Sequence, residues 1–121
     1  MANKFKCFRG KVDGGTPTII VPQAGMSNAT GDSRDNSSTA IVHALFLSNI
    51  DATQEVMVDI DIYNPTYVTP NIIGKDIPIP AGSTLFFEKP VNLEENDTLR
   101  ITTASSNDVD AVASTLTITA A

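Results

Sequence analysis

The run EVMVDIDIY, residues 55 to 63, constrains this chain more than any other stretch. Val56, Val58, Ile60 and Ile62 alternate with Glu55, Met57, Asp59, Asp61 and Tyr63. Period two puts the four aliphatic residues on one side of an extended chain, whereas a helix would scatter them. The run therefore reads as a half-buried β-strand with one wet face, ended by Asn64-Pro65.

The rest of the chain repeats that signal at shorter length. Phe5 to Val12 is short and mixed, and Asp13-Gly14-Gly15 then leads into TPTIIV. Glycine supplies the positive φ of a tight reversal, so a hairpin is expected there. Thr39 to Ser48 leaves no polar face, which implies cover on both sides. Ile72 to Ile79, Ser83 to Lys89, Thr98 to Thr103 and Val112 to Thr119 complete the strand-like segments. Pro80-Ala81-Gly82 reads as a turn. In the last segment Val112, Ser114, Leu116 and Ile118 are expected inward, with Thr115, Thr117 and Thr119 on a wet stripe.

Seven or eight short strands with turn signals about every ten residues, and no capped helical period, point to an all-β fold. The expectation is a single antiparallel β-sandwich of immunoglobulin-like or jelly-roll type. The 121 residues suit one domain. Within it, residues 39–121 read as the sandwich core, and residues 1–38 as an N-terminal hairpin or arm with a long polar loop, QAGMSNATGDSRDNSS, over 23–38. A loop of that length and composition is a natural place for partner contacts.

Candidate sites are few. Glu55, Asp59 and Asp61 share a strand face, with successive same-face positions about 7 Å apart. Calcium takes about 6–8 oxygens; the strand offers at most these three, and Met57 interrupts the row. They read as a solvated face, and no metal is expected. His43 is the single histidine and sits within the most apolar segment, which favours a hydrogen-bonded interior role. Cys7 is the single cysteine, so it forms no internal disulfide and no cysteine-based zinc cluster. Asp32, Asp35 and Asn36 do not match the spacing of a calcium loop. No nucleophile motif, phosphate loop or HExxH is present, so no enzyme and no cofactor are expected.

Composition narrows the partners. A formal net charge of −6 disfavours nucleic acid and anionic membranes. No apolar run approaches the ~20 residues that span a bilayer, and the basic start MANKFKCFRGK has no apolar stretch behind it to make a secretory signal. The sequons at Asn28, Asn36 and Asn96 are then read as chance.

Two stretches carry a resemblance, IVHALFLSNIDATQEVMVDIDIY and IPIPAGSTLFFEKPVNLEENDTLRITTASSNDVDAVASTLTI. Together they run strand, polar connector, alternating strand, Pro-Ala-Gly turn, apolar strand, acidic corner and final strand. This resembles small β-sandwich virion structural proteins of tailed bacteriophages, over about Ala40 to Thr119. The resemblance implies a non-enzymatic decoration, neck or tail component, located in the virion, that packs against other virion proteins and against itself as a symmetric oligomer. Phe5, Phe8 and Met26 are apolar residues in polar surroundings; they read either as assembly contacts or as part of the domain's own core. A carbohydrate-binding or adhesin-like module, calcium-assisted in one version, is the alternative. With no tryptophan, Tyr63 and Tyr67 are its obvious stacking residues.

Overall fold

The structure, a computed structural model, describes residues 2–67, 69–104 and 108–119. Among these there are nine strands and no helix. They are β1 (Ala2–Val12), β2 (Thr18–Val21), β3 (Ser38–Asn49), β4 (Val56–Tyr63), β5 (Asn71–Ile79), β6 (Thr84–Phe87), β7 (Val91–Leu93), β8 (Thr98–Thr103) and β9 (Val109–Thr119). The expected β-sandwich is what forms. One sheet has the order β1-β9-β3-β6 with β7 also on β3, and the other has the order β2-β8-β4-β5. All strand pairs are antiparallel.

The pairing has a simple logic. β1 pairs with β9, β2 with β8, β3 with the β6–β7 stretch, and β4 with β5. Counting β6 and β7 as one interrupted edge strand, the first strand meets the last, the second meets the next to last, and so on inward. That nested hairpin, wrapped into two layers, is the jelly-roll arrangement rather than the immunoglobulin one. The short β7 falls in PVNLEEND, which reads as a connection in sequence because only Val91 and Leu93 are apolar; Leu93 faces the core opposite Ala40.

Aliphatic side chains from both inner faces fill the core. Val58, Ile60, Leu99 and Ile101 of one sheet meet Phe8, Leu45, Leu47 and Ala113 of the other, all essentially buried. The 55–63 alternation holds for Val58 and Ile60, which are fully buried, and for Val56 and Ile62, which pack against the core's edge.

Two sequence expectations are corrected here. Asp13-Gly14-Gly15 does not make a hairpin: β1 and β2 lie in different sheets, and this turn carries the chain across. Gly15 has φ 88°, and its N–H donates to Thr103 O at 2.8 Å, tying the crossing to β8. The N-terminal segment thus adds a strand to each sheet, and β1 pairs with β9 from Ala2 to Val12. The second correction concerns β9, whose two faces are reversed. Ala111, Ala113, Thr115 and Thr117 are buried, while Val112, Ser114, Leu116 and Ile118 lie half-exposed on the outer face. Ala113 sits opposite Phe8 on one neighbour and Leu45 on the other, so the bulky neighbours leave room for only a methyl group. The Thr115 and Thr117 hydroxyls donate to Lys6 O and Lys4 O at 2.9 and 3.4 Å, which makes their burial tolerable. The Pro80-Ala81-Gly82 turn is present, with Gly82 at φ 71° and Ser83 N donating to Pro80 O at 3.0 Å. The polar turn expected over 104–110 includes residues 105–107, outside the described residues.

The polar loop over 23–38 is not loosely organised. Arg34 is only 1% exposed and ties the loop to the acidic corner. Its Nη1 donates to Pro22 O and Asp97 O at 2.9 and 3.0 Å. Nη2 donates to Ser38 O, Leu93 O and Glu94 O at 2.8, 3.3 and 2.8 Å, and Nε reaches Ser38 Oγ at 3.3 Å. A planar fork of five N–H donors is what such a ring of carbonyls requires. Burial lowers the Arg34 pKa, opposed by the nearby charges of Asp97 and Glu95. Asn28 is buried too, donating to Ile20 O at 2.8 Å and Arg9 O at 3.2 Å. Its sequon is therefore sealed inside the fold.

Candidate functional site

The opening carboxylates separate in space and in role. Glu55 lies outside β4 and is exposed. Asp59 accepts from Asp76 N at 2.7 Å and Lys75 Nζ at 3.3 Å, and this hydrogen bond raises the Lys75 pKa. Asp61 corrects the expectation of a solvated face: it is 6% exposed and accepts from Arg100 Nε at 2.8 Å. The Arg100 guanidinium in turn lies over the Tyr63 ring, 4.4 Å from its centroid. The outer side of the four-stranded sheet thus mixes matched charges with exposed Ile19, Met57 and Ile72. Each carboxylate on β4 has a cationic partner, which leaves no shared oxygen cage.

The loop carboxylates are likewise committed. Asp32 accepts from Arg9 N at 2.9 Å. Asp35 pairs with Lys4 at 2.9 Å, and the hydrogen bond from Lys4 holds its carboxyl below the usual range. Among the described residues no cluster of histidine, cysteine and carboxylate side chains is arranged to hold a metal ion.

The outer face of the five-stranded sheet is chemically different. Directly opposed residues in antiparallel strands point the same way, so the register builds rows across this face. One row is Phe5, Leu116 and Ile41, and another is Val112, Phe46 and Phe86, beginning from Arg9 on β1. Phe5 is 83% exposed and Phe86 is 57% exposed, while Leu116, Ile41, Val112 and Phe46 are half-buried. The Phe46 and Phe86 rings meet edge to face at 5.4 Å. Between the rows lie Cys7, Ser114 and Ala44.

His43 also belongs to this face, contrary to the interior role expected from its neighbours. The β3–β9 register shifts between Val42 and Ala44, so His43 is the extra residue of a bulge and turns outward. Its ring stands edge-on to Phe5 at 6.3 Å. Cys7 and His43 line one shallow depression with Phe5 and Ser114.

The three residues singled out in sequence fall in three places. Phe8 is fully buried and serves the domain's own core. Phe5 projects from the outer face of the five-stranded sheet. Met26, 55% exposed, sits on the 23–38 loop beside Ile19 and Tyr63, next to the other sheet. Sequence reasoning missed Leu116, Val112, Ile41 and Phe46 as surface residues. The signal was present in Thr39 to Ser48, where both sides are apolar: the inner side meets the core, and the outer side forms part of the half-exposed outer face of the sheet.

The chain matches no protein-family model, and neither a curated protein nor a solved structure matches it.

Proposed function

We propose that this chain is a non-enzymatic structural subunit of a tailed-phage virion, packing against capsid, neck or tail proteins and against copies of itself. The observation that carries this reading is the apolar outer face of the five-stranded sheet. Monomeric proteins seldom leave a contiguous apolar patch of more than a few hundred Å2 uncovered, and larger patches mark interaction sites. Jelly rolls serve in viral capsid domains, which favours the reading by analogy of fold; they also serve in lectins, so the fold alone does not choose. Of the two tyrosines that could stack a sugar, Tyr63 has one side of its ring taken by Arg100, while Tyr67 is 64% exposed.

The test is the composition of particles. Gradient-purified virions from lysed cultures carrying this gene are assayed by quantitative mass spectrometry. The chain is expected to co-sediment with the major shell protein at one fixed ratio across the particle peak. Recovery in the soluble fraction alone would overturn the proposal.

A further inference from the structure

We infer that two copies of this chain pack face to face through the outer surface of the five-stranded sheet, around Phe5, Leu116, Ile41, Val112, Phe46 and Phe86. The inference deepens the assembly reading by naming the surface and the occupant.

Area is the first argument. Four strands spaced about 4.8 Å apart, with some eight residues of length at about 3.3 Å each, give a footprint on the order of 20 by 30 Å. That is roughly 600 Å2 per copy and about 1,200 Å2 for a pair, the lower bound of a specific interface. A flat, pleated face suits a flat, pleated face, as the two sheets of a sandwich already show at about 10 Å separation.

The charge pattern of this face is compatible with a second copy. The chain carries a formal −6, so two copies repel on average. The repulsion is smallest where carboxylates are fewest. Among the described residues, the outward strand positions of this face carry one carboxylate, Asp110, bridged to Lys11 at 2.7 Å. Arg9 at the same end is bridged to Asp32 of the 23–38 loop at 3.9 Å. The opposite sheet carries Asp59 and Asp61, each paired within its own chain. On this face the one strand carboxylate is ion-paired and sits in the row beyond Val112, Phe46 and Phe86, so two acidic chains can meet over the apolar rows without opposing unpaired carboxylates. The interface has two-fold symmetry, because the same patch serves both partners.

Multi-angle light scattering on the full chain, over about 5–200 μM, reads the result directly; at a footprint of this size a micromolar dimer is expected. The mass should rise from 12.8 kDa toward twice that value. Leu116→Asp places a charge at the centre of the patch and should leave a monomer throughout the range. Phe5→Ser tests the same surface at a side chain that has no core role, and should weaken dimerisation at least 10-fold. Thermal melts confirm that both variants fold. Ile72→Asp, an exposed residue of the other sheet, should dimerise like the parent. A parent that is monomeric at 200 μM, or a dimer lost with Ile72→Asp and kept with Phe5→Ser, overturns the inference. Either result leaves the particle assay to decide the virion reading separately.

Discussion

Replacing Arg34 by methionine tests whether the 23–38 loop is held as described. Methionine keeps much of the stem's volume and removes every donor. Five backbone carbonyls, those of Pro22, Ser38, Leu93, Glu94 and Asp97, then lose their guanidinium partner. An unsatisfied buried polar group costs about 1–3 kcal/mol, so a literal sum would approach the whole stability of the domain, about 5–15 kcal/mol. Two effects reduce it: water enters where carbonyls line a space, and the desolvation of the buried cation, which already lowers its pKa, is relieved. The net loss expected is about 3–5 kcal/mol, as for breaking other buried charge clusters. For a domain of this size that corresponds to a fall in Tm on the order of 10–20 °C. Lysine keeps the charge but offers one point of donation in place of a fork, so Arg34→Lys should fall between parent and methionine. Urea unfolding followed by circular dichroism supplies the measurement, with the m-value checked for two-state behaviour. A loss under about 1 kcal/mol for Arg34→Met would refute the argument that the guanidinium holds the loop to the acidic corner.

Three further expectations follow from the same geometry. A double-mutant cycle on Asp61 and Arg100, with asparagine and glutamine as replacements, should show coupling of about 1.5–3 kcal/mol, because the pair is largely buried and well aligned; the exposed Lys11–Asp110 pair should show less than about 1 kcal/mol, and equal values would contradict the contrast. Asp35, through Lys4, and Asp51, through the Thr53 and Gln54 amides, have folded pKa values below their ordinary ones. Their contribution is therefore present above the unfolded carboxylate pKa of about 3.9 and is lost as pH falls below it; melts from pH 7 to pH 2 should show a smaller acid loss for Asp35→Asn than for the parent. Lys75 has the opposite sign, with a raised pKa, so its contribution is present below about pH 10.4 and is lost as pH rises beyond it; Lys75→Met should remove the alkaline part of the stability profile, and an unchanged profile would contradict the ion pair with Asp59.

Period two made the architecture legible in the sequence, and side-chain size set the limit of that reading. The β4 alternation was unambiguous because valine and isoleucine faced carboxylates along one strand. β9 was misread because both of its sides are moderately apolar. Hydrophobicity ranks leucine and isoleucine above alanine and threonine, but the space between Phe8 and Leu45 admits only Ala113. The hairpin at Gly14-Gly15 was misplaced for a related reason. A glycine turn announces a reversal without stating whether the next strand stays in the same layer. Asp61 looked wet because its partner, Arg100, is 39 residues away and is brought opposite it only by the β4–β8 register. Arg34 carried no signal, since one arginine in a polar loop reads as solvated until the carbonyls around it are placed. The outer face was half legible: the absence of a polar side in TAIVHALFLS demanded a second cover, and Leu116 and Val112 joined it only once the phase of β9 was known.

The most direct test of the assembly surface maps it without mutation. A 12.8 kDa chain is well suited to amide NMR, and spectra recorded from about 10 to 500 μM report which residues feel a second copy. The account predicts concentration-dependent shifts and broadening confined to outward positions of β1, β3, β6 and β9, centred on Phe5, Ile41, Phe46, Val112 and Leu116. Changes centred instead on Met57, Ile72 and Arg100 of the other sheet, or no change over the whole range, would contradict it.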